Sequence, residues 1–253
     1  MQLSNLVIET RLRNAWSSID LGFVFARQFW FRGVLLYLFV AFPFFVLTRI
    51  FTDYGSVLPF LILWWLKPLF ERPILYFMSR ELFSDKTGVL RTLLNYRDWL
   101  FPGLFSILIT RRISLARAMY APITLLERPT SSAYGSRALV LGNKFSGEGL
   151  WLTLILFFTE VVFAISLLSL LAIMFPEHID VAIAWANDLE QSSAVLDFVT
   201  LLIMATIAPF YVAAGFILYI SRRVELEGWD IEICFRDWMR NYKKPTSGVS
   251  HES

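Results

Sequence analysis

Four ionisable side chains interrupt stretches that are otherwise apolar: Lys67, Glu71 and Arg72 in one, and Glu160 in another. An unpaired charge at the centre of a bilayer costs about 2.5–3.5 kcal/mol on insertion scales, so such residues face a protein interior or a water-filled path. At ~1.5 Å per helical residue, Glu160 lies roughly 16 Å in from Gly149, and Lys67 roughly 15 Å in from Val57. Both depths fall near the middle of a hydrocarbon layer ~30 Å thick, which makes a Lys67–Glu160 pair the economical arrangement. Read functionally, Glu160 would relay a proton or a solute. Read structurally, the pair would only neutralise two buried charges.

Other chemistry-bearing patterns are missing. The sequence holds no Walker-type phosphate loop, no H-E-x-x-H and no G-x-S-x-G, so no catalytic residue is assigned and the expectation leans to a non-enzymatic protein. Cys234 is the single cysteine, and His178 and His251 are the only histidines. That set makes neither an internal disulfide nor a structural zinc site, and no metal or cofactor is expected. Arg111, Arg112 and Arg117 follow a short apolar segment. They could hold lipid phosphates or a partner's acids, or simply mark the cytoplasmic side.

The elements that must position these residues follow from composition. Of 253 residues, 57% are hydrophobic and 17% charged, with 24 Phe and 9 Trp. Ordinary soluble domains carry roughly 45–50% apolar and about 25% charged residues. A disordered, collagenous or disulfide-built chain is excluded, and a net charge of +2 gives no reason to expect a nucleic-acid partner. The pattern predicts an all-α, polytopic helical membrane protein with four spanning helices, at about 33–51, 57–78, 149–175 and 198–220. Residues 99–110 are uncharged but too few to cross as a straight helix, and Pro102 and Gly103 interrupt them. A re-entrant or interfacial segment is expected there. With four spans and both termini inside, Arg49 is the only one of the 23 Lys and Arg residues left outside, whereas a fifth crossing would carry a whole basic cluster out.

Amphipathic helices are expected at both ends. Within 1–32, Leu12, Trp16, Ile19, Phe23 and Trp30 recur at mostly three- or four-residue steps, giving a cytoplasmic or interfacial helix one apolar face. Within 221–242, Val224, Ile231, Phe235 and Trp238 share a face, and the rest is rich in acids, among them Glu225, Glu227 and Asp230. An acidic face suits anionic lipid poorly, so this cytoplasmic helix, with Arg222, Arg223 and Trp229, is expected to dock on the chain's own basic loops. Residues 243–253 read as a disordered tail.

Several of these segments occur in combination: Trp16-Ser17-Ser18-Ile19-Asp20-Leu21-Gly22-Phe23, Trp64-Trp65-Leu66-Lys67-Pro68-Leu69, Ser79-Arg80-Glu81-Leu82-Phe83, and Phe210-Tyr211-Val212-Ala213-Ala214-Gly215-Phe216. They are followed by Arg222-Arg223 and Glu225-Leu226-Glu227-Gly228-Trp229-Asp230-Ile231-Glu232. Together they resemble an uncharacterised family of proteobacterial multi-pass inner-membrane proteins, and the likeness runs over most of the chain. The plan is also similar to the membrane domain fused to some glycerophosphodiester phosphodiesterases, although no segment here matches their catalytic domain. Genes of the resembling family lie beside those for MoxR-type AAA ATPases, von Willebrand factor A-like proteins and transglutaminase-like membrane proteins. The resemblance therefore implies a subunit or scaffold of a cell-envelope system in the bacterial inner membrane. Its implied partners are membrane lipids, other membrane proteins and a cytoplasmic AAA ATPase system. A transporter or lipid-handling protein built on the midplane charges is the alternative.

Overall fold

The computed structural model describes residues 13–52, 58–83, 87–109, 114, 116–174 and 189–228, so Cys234, His178, His251 and the 243–253 tail lie outside the described residues. Every regular element among them is helical. In chain order these are α1 (Ala15–Phe51), α2 (Leu58–Leu82), α3 (Val89–Leu94), α4 (Tyr96–Leu100), α5 (Leu104–Leu108) and α6 (Arg117–Pro122). A π-helical turn, Ile123–Glu127, continues α6, and α7 (Ser131–Met174) and α8 (Leu189–Glu227) are the last of the described elements.

Three of these helices, α1, α7 and α8, are long and apolar enough to cross a membrane. Their apolar windows differ sharply in burial: 83% for α8 against 22% for α1 and 11% for α7. Thus α8 is the central post, touching α1, α2, α6 and α7, while α1 and α7 turn apolar surface outward. On α7 that surface includes Phe158, Val162, Phe163 and Ile165. Exposed apolar area on this scale suits a hydrocarbon solvent, where the hydrophobic effect no longer drives side chains inward. The 25 residues of α2 are long enough to cross as well, but its charges set it apart, and the stretch from Lys67 to Ser79 is buried throughout.

The chain does not break where the sequence suggested boundaries. α1 runs unbroken from Ala15 through residue 33, so the expected N-terminal helix is the lower part of the same rod. Its inward seam is made of Ala15, Ser18, Ile19, Gly22, Ala26 and Gly33, which are buried, while Trp16 is about half exposed. Small residues at three- and four-residue steps let helix backbones approach, which is how helices associate once water is not the solvent. A methyl group on Gly22 would overlap Ala214 Cα and lie 2.9 Å from its backbone N, and one on Gly33 would lie 2.9 Å from Pro209 Cγ. At the other end, the first part of the helix expected over 221–242 is the last turns of α8, and residues 229–242 lie outside the described residues. α8 carries through 220 and stops at Glu227, where Gly228 takes φ 62° and its N–H donates to Val224 O at 3.1 Å. Glycine enters that left-handed region at little cost, closing the helix with one of its own orphan carbonyls.

The segment expected to be re-entrant or interfacial is broken twice over. α4 ends at Leu100, Gly103 turns the chain at φ 62°, and α5 begins at Leu104. Phe101 and Phe105 point outward, and Trp99 turns inward, its indole N–H donating to Thr92 O at 2.9 Å.

Candidate functional site

The middle of α2 supplies three charges that are almost entirely buried, and each finds a different partner. Lys67 Nζ donates to Glu160 Oε1 of α7, joining the two residues whose depths matched in the sequence. Glu71, one helical turn on, accepts from Arg117 Nη2 of α6 at 3.1 Å. Arg117 also donates from Nε to the Tyr211 hydroxyl of α8 at 3.0 Å, and that hydroxyl lies 3.3 Å from Thr153 Oγ1 of α7. A single polar chain therefore ties α2, α6, α7 and α8 together. Beside it, the Tyr37 hydroxyl of α1 is fully buried without a hydrogen-bond partner.

Arg72 behaves differently. Its Nη1 donates to Leu100 O at 2.8 Å and its Nη2 to Pro102 O. Leu100 O is an orphan of the α4 end, where a cation is favoured, and Pro102 O lies in the turn that follows. Its Nε is buried and has no acceptor, and no carboxylate pairs with Arg72 among the described residues. Arg72 also lines a cavity of ≈ 50 Å³, with Glu71, Arg117, Tyr120, Thr124 and Tyr211 among the other residues of its wall. A second, apolar crevice of ≈ 500 Å³ lies between α1, α7 and α8, lined by Phe23, Phe163, Thr159 and Phe210 among others. Thr159, adjacent to Glu160 in sequence, thus borders the second crevice and not the cavity lined by Arg72.

At the opposite end of α8 from Leu189, a second charged group assembles. Arg137 of α7 holds Glu127 through Nε and Nη2 at 2.8 and 2.9 Å and reaches Glu227 at 2.7 Å. Tyr219 donates to Glu127 Oε1 at 2.7 Å, Arg223 clasps Glu227 at 2.7 Å, and Glu225 takes Lys144 at 2.5 Å and Arg222 at 2.8 Å. The acids after the last span therefore meet the basic residues that begin α7. At the far end, Arg49 of α1 meets Asp197 of α8 at 3.1 Å.

Burial pushes the Glu127 carboxyl up, but hydrogen bonds from Arg137 and Tyr219 and the charges of Arg137 and Arg223 outweigh it, so Glu127 titrates below the ordinary carboxylate range. A carboxyl lowered on folding contributes stability that is complete above its unfolded value, near 4.5, and is lost as pH falls through the lower folded value. Thermal unfolding of detergent-solubilised protein should therefore drop as pH is taken below about 4.5. Glu127→Gln should cost about 1–2 kcal/mol at pH 7 and flatten that acid limb. An unchanged acid limb in the variant would remove Glu127 from the account.

Of the residues singled out by sequence, the structure unites Lys67 with Glu160, and Glu71 with Arg117, and joins Arg222, Arg223, Glu225 and Glu227 to the start of α7. It separates Arg72 from the other charges of its cluster, and it moves Arg117 from a surface basic group into the core. Arg111, Arg112, Trp229 and Asp230 lie outside the described residues. Tyr37, Tyr211 and Thr153 were not singled out as site residues in the sequence, although a buried tyrosine usually seeks a partner for its hydroxyl, as Tyr211 finds in Arg117 and Thr153. No family model, curated protein or solved structure matches the chain.

Proposed function

We propose that this protein is a non-enzymatic integral membrane subunit or scaffold of a cell-envelope system. It lies in a bacterial inner membrane with both termini cytoplasmic. In this reading α2 is the fourth span, and the broken α4–α5 segment enters and leaves on the cytoplasmic side. The observation that supports a scaffold most is the mutual consumption of interior charge: Lys67 with Glu160, and Glu71 with Arg117, are buried pairs that fasten helices. Buried pairs of this kind fix which helix lies against which, a role that asks for no traffic through the bundle.

Native-membrane purification in two detergents, followed by mass spectrometry, is expected to recover protein partners in a constant ratio. Recovery of the chain alone in both would count against a scaffold. For the topology, a membrane-impermeant thiol reagent applied from outside should leave Tyr134→Cys unmodified, and modification there would invert the assignment.

A transporter or lipid-handling role draws support from the cavity against Glu71, Arg72 and Arg117. Thr124→Cys reports on it: reaction with a small permeant thiol reagent at a rate near that of an exposed site favours the second reading, and inertness favours the first. Thr159, beside the apolar crevice, would report on lipid contact instead.

A further inference from the structure

Among the described residues, the buried charge of α2 and its partners does not sum to zero. Around the ≈ 50 Å³ cavity, Glu71 and Arg117 cancel, while Arg72 is 3% exposed, bound only to carbonyl oxygens, and keeps a buried Nε–H without an acceptor. One positive charge is left over in a wall that also includes Tyr120, whose hydroxyl has no hydrogen-bond partner among the described residues, while Thr124 donates to Ala121 O and Tyr211 is held by Arg117 and Thr153. On a scale where one water needs ~10–15 Å³, the cavity holds roughly three to five waters or one tetrahedral oxyanion. Guanidinium donors recognise phosphate and carboxylate, and the Tyr120 hydroxyl adds a donor from a separate direction, which suits a tetrahedral anion better than a planar one.

We propose that the cavity beside Arg72, between α2, α6 and α8, binds a singly charged phosphate group. The charge left over matches a monoanion, so the group is either a phosphodiester headgroup of an anionic phospholipid or free dihydrogen phosphate. Arg72 bridges that anion to the carbonyls of Leu100 and Pro102, coupling its occupancy to the seating of α4 and α5.

The test is a thermal-unfolding titration of the full chain in dodecyl maltoside, with three probes: dioctanoylphosphatidylglycerol, sodium phosphate at pH 6, and the phosphate-free dioctanoylglycerol. Phosphatidylglycerol should raise the unfolding temperature saturably and dioctanoylglycerol should not. Stabilisation by sodium phosphate as well identifies the anion alone as sufficient, and stabilisation by the lipid only identifies the headgroup as the source. Arg72→Gln should weaken apparent affinity at least tenfold, Arg72→Lys should restore part of it, and the exposed Arg91→Gln should leave it unchanged. Ala121→Leu fills the cavity while leaving Arg72 in place, and it should abolish the response even where Arg72→Gln fails to fold. Equal stabilisation by dioctanoylglycerol, or an undiminished response in Ala121→Leu, overturns the proposal.

Discussion

Glu160→Gln, with Lys67 left in place, is expected to destabilise the folded protein by about 3–5 kcal/mol, the usual result of stranding one member of a buried ion pair. Lys67 Nζ donates to Glu160 Oε1, and both side chains are about nine-tenths buried. The variant amide can still accept a hydrogen bond, so what is lost is the compensating charge. Removing both charges is a different matter. Lys67→Met combined with Glu160→Leu abolishes the desolvation cost along with the attraction, and such replacements are often neutral or stabilising by up to about 4 kcal/mol. The double variant should therefore unfold close to wild type while Glu160→Gln unfolds early and inserts poorly. Losses of equal size in the two proteins would mean that the pair is not an energetic unit. The same double variant also separates a fastener from a relay. A fastener can be exchanged for apolar packing without loss of partner binding, whereas a relay stops.

That pair was legible in the sequence because two charges at matched depth in a poor solvent have few other ways to be satisfied. Glu71 with Arg117 was not. Arg117 follows Arg111 and Arg112 closely enough to be absorbed into a positive-inside cluster, a signal that is blind to whether any one of its members turns inward. Tyr211 was hidden for a related reason, since tyrosines in membrane proteins are expected at the two interfaces, yet this one is 5% exposed beneath the Arg117 guanidinium. The seam by which α1 meets α8 was not read at all, because a search for large apolar residues does not register small ones. The apolar residues such as Trp16 were read as a face toward the membrane interface, and the small residues Gly22, Ala26 and Gly33, which such a pattern passes over, are the buried ones, Gly22 and Gly33 lying directly against α8. The start of α7 at Ser131 was obscured by its polar and glycine-containing first turns, which the apolar-run criterion places outside the helix. By contrast, the Pro102–Gly103 break was readable, because those residue types state their backbone preferences locally. So was the docking of Glu225 and Glu227 on basic residues, because charge sign was the only argument it required.

Gly22→Leu is expected to be the most damaging single change on the surface between α1 and α8. Even Gly22→Ala should destabilise, by about 1–3 kcal/mol of overpacking. The sign is informative, because in a helix interior the same change normally stabilises by about 0.8–1 kcal/mol through propensity alone. Gly135 on α7 supplies that baseline: nothing lies within 4 Å of a methyl placed there, so Gly135→Ala should gain stability. At Gly22 the obstruction is the backbone of Ala214 and, at 3.0 Å, the carbonyl oxygen of Ala213, neither of which can rotate away. Ala214→Gly should therefore fail to rescue Gly22→Ala, whereas rescue would identify the conflict as one between side chains. Gly215→Ala should resemble Gly22→Ala, because its methyl would stand 2.6 Å from the carbonyl carbon of Ala118 in α6. Forcing α8 away from α6 there would also pull Tyr211 from Arg117 and loosen the polar chain from its end. Unfolding curves in mixed detergent micelles for Gly22→Ala, Gly215→Ala and Gly135→Ala measure all three. A Gly22→Ala protein at least as stable as the parent would show that the two helices do not close to backbone contact, and the central position of α8 would have to be given up.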